Sequence, residues 1–447
     1  MTRAPDILEK IRSNPDHRIK FGVTDVDGVL RGKIIHRDKF LEAMDSIGFC
    51  DVIFGWDMVD EAYDNGRITG WHTGYPDAKA SMDLSTHRSI PWEEGIPFFI
   101  ADFSKIDHPG CPRSLLKKVI SRSAALGIKT KFAQEFEWFN FKENPQSLDT
   151  KGHQNPVPLT PGMFGYSVLR ASQNHEFFHE LFTSCEKFGI PIEGIHTETG
   201  PGVYEASIRS AEILEAADRA ALFKTAAKEI ASRHGITASF MAKWNADLPG
   251  CSGHIHQSLW KDDTNIFYDP QSKYNISEKL KSYIAGQLLC LPEILPMYAP
   301  TINSYKRLVE GAWAPTTITW GVDNRTNALR VINDDEKSMR LETRVPGSDT
   351  NPYLALAAAL ASGLYGIVNN LKLEVKPTAG NGYKETTNGI LPGDLNEATN
   401  RMKHSKLAEE LFGADFVDHF TRTRDWEWNR YKKAVTDWEL KRYFEII

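Results

Sequence analysis

The chain is poor in cysteine. Its five residues, Cys50, Cys111, Cys185, Cys251 and Cys290, are scattered, with no CxxC pair. An odd, unclustered set argues against a disulfide framework and fits a reducing cytoplasm. Positive charge is not in excess: 53 Lys and Arg against 59 Asp and Glu give a net −6, which excludes the global basic field of a nucleic-acid binder. A membrane-spanning run is missing too. The most apolar stretch, "NPYLALAAALASGLYGIVNN", holds two glycines and opens at Asn351-Pro352 as a helix start, so it reads as a buried core helix. The N-terminal stretch "MTRAPDILEKIRSNPDHR" is polar, unlike a secretory signal. There is no GxxxxGK[ST] loop and no GxGxxG after a strand, which sets aside P-loop and Rossmann enzymes; the missing GxSxG elbow weakens a serine-hydrolase reading. No repeat period or low-complexity tract is visible.

What remains is a 447-residue chain of ordinary globular composition, 41% hydrophobic and 25% charged, long enough for two domains. "IKFGVTDVDGVLRGKIIH" reads as two strands joined at Asp27-Gly28. The Pro/Gly loop "DHPGCPRS" places a boundary near residue 106, giving segments 1–105 and 106–447. In the second segment, helical periodicity in "SLLKKVISRSAALG", "NHEFFHELFTSCEKFG" and "SAEILEAADRAALFKTAAKEIASRHG" alternates with strand-like runs such as "KTKFAQEFEWFNF", "GVYEASI", "ASFMAKW" and "SMRLETRV". The end, from about Leu391, reads as charged helices. The class is α+β with a mostly antiparallel sheet.

Several residue pairs lie two apart on predicted strands and so share a face. Glu135 and Glu137 are either a solvated strand face or two carboxylates around a cation. Glu198 and Glu205 bracket a Thr-Gly-Pro-Gly loop, with Glu193 and His196 upstream. His254 and His256 suit a metal or a phosphate, or are structural; Arg340, Glu342 and Arg344 suit a cation beside an anion, or a cross-strand salt ladder. Carboxylates and histidine without cysteine favour Mg²⁺ or Mn²⁺. Such ions with several arginines (Arg307, Arg325, Arg330, Arg340 and Arg344, beside Lys306) are the parts of phosphoryl-transfer chemistry on an anionic small ligand.

The ordered motifs "QEFEWF", "HTETGPGVYE", "GHIHQS", "NSYKRL", "DNRTNALR", "RLETR" and "NPYLALAA" resemble the glutamine synthetase superfamily of type I over nearly the whole chain, and within it the γ-glutamyl-amine ligases. The resemblance implies an N-terminal β-grasp domain (1–105), a catalytic domain (106–447) and a cytoplasmic homo-oligomer of two stacked hexameric rings, with sites between neighbouring subunits. It implies that Glu137, Glu198 and Glu205 hold one divalent metal, and Glu135, His254 and Glu342 a second. Glu193, His256, Ser258, Arg330, Lys337 and Arg340 match ATP contacts. Arg307 and Arg344 match clamps on the glutamate carboxylates, and Arg325 stands beside the transferred phosphoryl group. The implied reaction activates the γ-carboxylate of glutamate with ATP, before a nitrogen nucleophile attacks.

The sequence departs from the family pattern in places that bear on the nucleophile. The loop "LPGCSGHIH" lacks an Asn-Gly that touches the amino acid substrate. The acidic latch loop survives loosely as "YDNGR", making Asp64 and then Asp57 the candidates for deprotonating the amine, with Asp77 a supporting acid. The glutamate that follows "KRLVPGY" in the family pattern is Trp313 here, after "KRLVEGA". No counterpart of the tyrosine loop modified in some bacterial members is found. A carboxylate at position 313 would favour ammonium, whereas tryptophan offers an apolar face, so the expected activity is ligation of glutamate to an organic amine. Ammonia-using glutamine synthesis and a catalytically silent structural role are the alternatives.

Overall fold

The computed structural model describes residues 4–447. Near the N-terminus lie strands β1 (Arg18–Thr24), β2 (Leu30–His36), β3 (Ile47–Cys50), β4 (Asp77–Ile90) and β5 (Ile96–Asp102). They form one sheet in the order β2-β1-β5-β4-β3, with β1 and β5 parallel and the other neighbours antiparallel. The β1–β2 turn closes through the Gly28 N–H on the Asp25 carbonyl, 3.1 Å, and Gly28 takes φ +84° there, which an L side chain rarely adopts. The hairpin expected at Asp27-Gly28 is therefore present.

The larger sheet comprises β6 (Lys129–Phe141), β7 (Ile192–Thr197), β8 (Val203–Ile208), β9 (Ala211–Glu212), β10 (Thr237–Ser239), β11 (Ile255–Lys261), β12 (Thr264–Asn265), β13 (Trp320–Val322), β14 (Leu329–Ile332) and β15 (Arg340–Thr343). Its main path is β13-β14-β15-β11-β6-β8-β7, with β13–β14 its parallel pair. β6 shows why this sheet forms. Phe132, Phe136 and Trp138 alternate on one face and are fully buried, and Phe136 and Trp138 pack with Phe223 of the helix Ile213–Arg233 and with Phe240. Glu135 and Glu137 necessarily point the other way. The run "ASFMAKW" pairs only over β10, and its remainder is loop.

The apolar stretch is the helix Pro352–Val368, capped by the Asn351 side chain and buried nearly all round. It crosses the helix Glu278–Cys290 where Gly366 meets Gly286; a Cβ on either glycine would overlap the other backbone. No described helix is long and apolar enough to cross a membrane.

Candidate active site

Register on β6 sets the site. Glu137 lies opposite Glu205 on β8, which in turn lies opposite His196 on β7. On the other side, His256 of β11 lies opposite Glu342 of β15, and Glu342 opposite Arg330 of β14. Residues at even spacing on neighbouring antiparallel strands thus converge on one face.

Two groups of potential metal ligands result. In the first, Glu135, His254 and Glu342 each offer an atom within 4.8 Å of the others. His254 Nδ1 sits 3.2 Å from Glu135 and 3.4 Å from Glu342, while its Nε2 is buried without a hydrogen-bond partner. Burial first, then the nearby Arg344 charge, bring His254 down to about 4, so the imidazole is neutral and able to donate a lone pair to a metal. Burial works against ionising Glu342, yet Arg344, His254 and His256 hold it at about 2. The second group is His196, Glu198 and Glu205. His196 Nε2 lies 3.4 Å from Glu198 and 3.6 Å from Glu205. Burial and the surrounding charges of Glu135, Glu137, Glu198 and Glu342 push Glu205 far above the usual carboxylate range. Crowded acids of this kind call for a cation. Carboxylate oxygens with an imidazole in each group suit Mg²⁺ or Mn²⁺.

The sequence reading assigned Glu137 to the second group and left His196 out. In the structure His196 is a member, and Glu137 stands beside the group with Oε2 accepting the Ser252 N–H at 2.8 Å. Burial, opposed by Arg307, brings Glu137 up to about 7. His196 had the same two-residue spacing to Glu198 that drew attention to the other pairs, and the signal was available.

Next to the first group opens a cleft of about 270 Å³ lined by Glu193, His256, Ser258, Lys337 and Arg340, residues matched to ATP in the sequence. Lys131, Ser207 and Ser210 also line it and had no sequence signature. Arg330, the sixth matched residue, spans Asp323 and Glu342, 2.8 Å from the latter.

The arginines expected around the acid substrate are engaged by the protein itself. Arg307, 2% exposed, donates to the Val345 carbonyl and the Ser252 hydroxyl at 2.9 and 2.8 Å. Arg344 holds Glu342 at 2.5 Å and donates from Nε to the Arg325 carbonyl, while the Arg325 side chain is exposed. Trp313 is no core residue: it is 58% exposed at φ +58°, on the loop that follows the short Arg307 helix Ser304–Arg307. Glu310 of that loop pairs with Lys384.

Asp64 and Asp77 are exposed on the N-terminal sheet and its loops. Asp57 is buried, and its carboxylate accepts the Val59 and Glu61 N–H groups and the Trp426 indole at 2.9–3.0 Å. Those bonds make Asp57 an anchor of the loop, and Asp64 is the acid left open to a neighbour.

A cleft lined by Lys131, Lys337 and Arg340 beside crowded acids suits a phosphate-bearing ligand held with a divalent cation. Comparison with known proteins agrees. Residues 109–443 match the sequence model of the glutamine synthetase catalytic domain, and the chain belongs to the glutamine synthetase family. It is 52% identical over 450 residues to type-1 glutamine synthetase 2 of Dictyostelium discoideum, covering 99% of this chain and 86% of that one. It is 38% identical to a glutamate–isopropylamine ligase of a Pseudomonas species, covering 99% and 97%. A solved structure of GmaS with ADP superposes with a TM-score of 0.85 at 28% identity, over 98% of this chain and 99% of that one.

Proposed function

We propose that the protein joins glutamate to an organic amine through a γ-glutamyl phosphate made with ATP. The observation that carries this reading is the apolar character of the surface around the acid groups where an ammonium site would need charge. Trp313 stands exposed in place of a carboxylate. The segment 162–169, which reaches His196 through Tyr166, presents Met163, Phe164, Tyr166, Val168 and Leu169, all at least half exposed. Tyr166 stacks on the ring of His196 at 4.4 Å, with the two ring planes nearly parallel. The segment is pinned by the Tyr166 N–H on the Thr197 carbonyl and the Ser167 N–H on the Thr197 hydroxyl, 2.6 and 2.7 Å. An alkyl or aryl group packs against such walls, and an alkylammonium gains about 0.5–2 kcal/mol over an aromatic face.

Divalent ions, if held by Glu135, His254 and Glu342 and by His196, Glu198 and Glu205, would supply charge neutralisation during phosphoryl transfer. The protein's own residues do the rest. Glu193, His256, Ser258, Lys337 and Arg340 seat the nucleotide, and Arg330 fixes Glu342 among them. Arg307 and Arg344 hold the acid end of the cleft positive, Arg325 lies on the surface above it to meet charge developing on the phosphoryl group, and Asp64 of an adjoining subunit takes the amine proton. The exposed apolar C-terminus, with Trp438, Phe444, Ile446 and Ile447, supports an assembly of the family's ringed type.

The second reading, synthesis of glutamine from ammonia, is favoured by the name of the 52% identical Dictyostelium relative. The two separate on ADP release with glutamate and a panel of ammonia, methylamine, isopropylamine, ethanolamine and diamines. The first reading expects kcat/KM to be higher for an organic amine, and Trp313→Glu to shift the preference toward ammonia on the order of 10-fold. Unchanged preference in Trp313→Glu would show that the tryptophan does not face the amine.

A further inference from the structure

Behind the acid face, the larger sheet carries a closed ring of buried polar side chains. On β11, Gln257 lies between His256 and Ser258; on β15, Thr343 follows Glu342. Strand alternation turns both away from the face that holds His256 and Glu342. They point instead to the helix Glu278–Cys290, which supplies Tyr283 and Gln287 one turn apart. Gln257 Nε2 donates to the Thr343 hydroxyl at 2.6 Å, and that hydroxyl donates to Gln287 Oε1 at 2.9 Å. Gln287 Nε2 then donates back to Gln257 Oε1 at 2.8 Å, so side chains from three elements close a circuit. The Tyr283 hydroxyl donates to the same Gln257 oxygen at 2.7 Å. Gln287 Nε2 also ties the ring to the Ala359 carbonyl of the helix Pro352–Val368 at 2.9 Å. Gly363 makes room for the tyrosine, since a Cβ there would overlap the Tyr283 ring. Gln257, Gln287 and Thr343 are all buried.

Apolar side chains would fill this part of the core as well, but they would not fix it in the same way. Apolar contacts survive a small slide of one strand along another, whereas a closed ring of directional bonds does not. In the ladder, Thr343 stands opposite Ile255 and Gln257 opposite Leu341, so the Gln257–Thr343 bond runs diagonally across the register. The other face of the same pairing sets His256 opposite Glu342. Two residues earlier along the chain, His254 Nδ1 comes within 3.4 Å of Glu342. We propose that Gln257, Gln287 and Thr343 are positioning residues. Their ring holds β11 against β15 and so sets the geometry with which Glu135, His254 and Glu342 meet a divalent cation. The inference rests on the reading of that group as a cation site and does not depend on which amine is used.

The probe is Mn²⁺, titrated by calorimetry into the purified full chain after chelation, with circular dichroism confirming the fold of each variant. The binding event lost in Glu342→Gln is assigned to this group. Thr343→Val keeps the shape of the side chain and removes the hydroxyl, while Thr343→Ser keeps the hydroxyl and removes the methyl. Thr343→Val should weaken Mn²⁺ on the order of 10-fold, and Thr343→Ser should stay within about 2-fold of wild type. A role in packing alone predicts the reverse order, because only the serine variant loses buried apolar volume. Gln287→Met sits on a helix that offers no ligand, and should weaken Mn²⁺ as Thr343→Val does; it carries the test if Thr343→Val does not fold. The electron paramagnetic resonance spectrum of the bound Mn²⁺ should change in these two variants and not in Thr343→Ser. Wild-type affinity in Thr343→Val or Gln287→Met, or equal weakening in Thr343→Ser and Thr343→Val, overturns the positioning role alone. A wild-type titration identical to that of Glu342→Gln would show that this group holds no cation, and would overturn the underlying reading together with the inference.

Discussion

At the scale of single residues, the site is a problem in charge. Glu135, Glu137, Glu198, Glu205 and Glu342 share one sheet face, and the chain answers part of that charge itself through Arg330 and Arg344 on Glu342. The sequence showed these acids because strand periodicity places residues two apart on one face. It did not show that Asp57 is committed to Trp426, a partner 369 residues away that no local pattern announces. Nor did it show that Arg344 braces a ligand carboxylate, since its spacing fits a substrate clamp equally well. Glu342 is the member whose loss should be felt most. Glu342→Gln keeps the shape but removes the charge, leaving Arg344 without its carboxylate partner, Arg330 with Asp323 alone, and the first group short of one anion. Turnover should fall on the order of 10²-fold or more, with weaker Mn²⁺ binding by calorimetry, while circular dichroism stays native. Near-native turnover in Glu342→Gln would place the metal elsewhere.

At the scale of elements, β6 was readable almost to the residue, because Phe132, Phe136 and Trp138 alternate with Glu135 and Glu137. The short strands β13, β14 and β15 were legible as runs, but their ends were not, since a loop with β-like residues differs from a strand only in its pairing. The joint between the two sheets was hidden altogether. Arg113, on the helix Pro112–Ala125, donates to Asp102 at the end of β5, to Asp83 of β4 and to Asp218 of the helix Ile213–Arg233, at 2.6–2.9 Å. Only 2% of Arg113 is exposed, so removing it strands three acids, two of them buried. Arg113→Met should cost about 3–5 kcal/mol in urea unfolding. The same network predicts an acid limb. Burial opposes ionisation of Asp102, but Arg113 and Lys117 hold it at about 2, below its ordinary 3.8. Its contribution is complete above pH 4 and is lost as pH falls through about 2; in Asp102→Asn that loss should be shallower between pH 4 and 2. An identical acid limb in the two proteins would remove Asp102 from the account.

At the scale of the whole molecule, the C-terminus bears on the proposed assembly. Val435, Trp438, Leu440, Phe444, Ile446 and Ile447 lie exposed at the C-terminus, although the capped helix Asp437–Tyr443 is well formed. Exposed apolar side chains on an ordered element are the surface that the proposed assembly would cover. Deleting residues 435–447 should reduce the particle mass in light scattering; an unchanged mass would assign the tail no part in assembly. The tail had been visible in the sequence as a charged helix with aromatic anchors, but which side those anchors faced was not. The family, the fold and the clustered acids follow from ordered motifs, whereas the proposed nucleophile rests on Trp313 and the segment 162–169, whose surroundings no local pattern announces. The most direct test lets the nucleophiles compete. Wild-type protein is given glutamate, ATP, Mg²⁺ and equal concentrations of ammonia, isopropylamine and ethanolamine, and the products are weighed by mass spectrometry at low conversion. The account predicts γ-glutamyl amides of the organic amines in excess over glutamine; glutamine as the dominant product would contradict it.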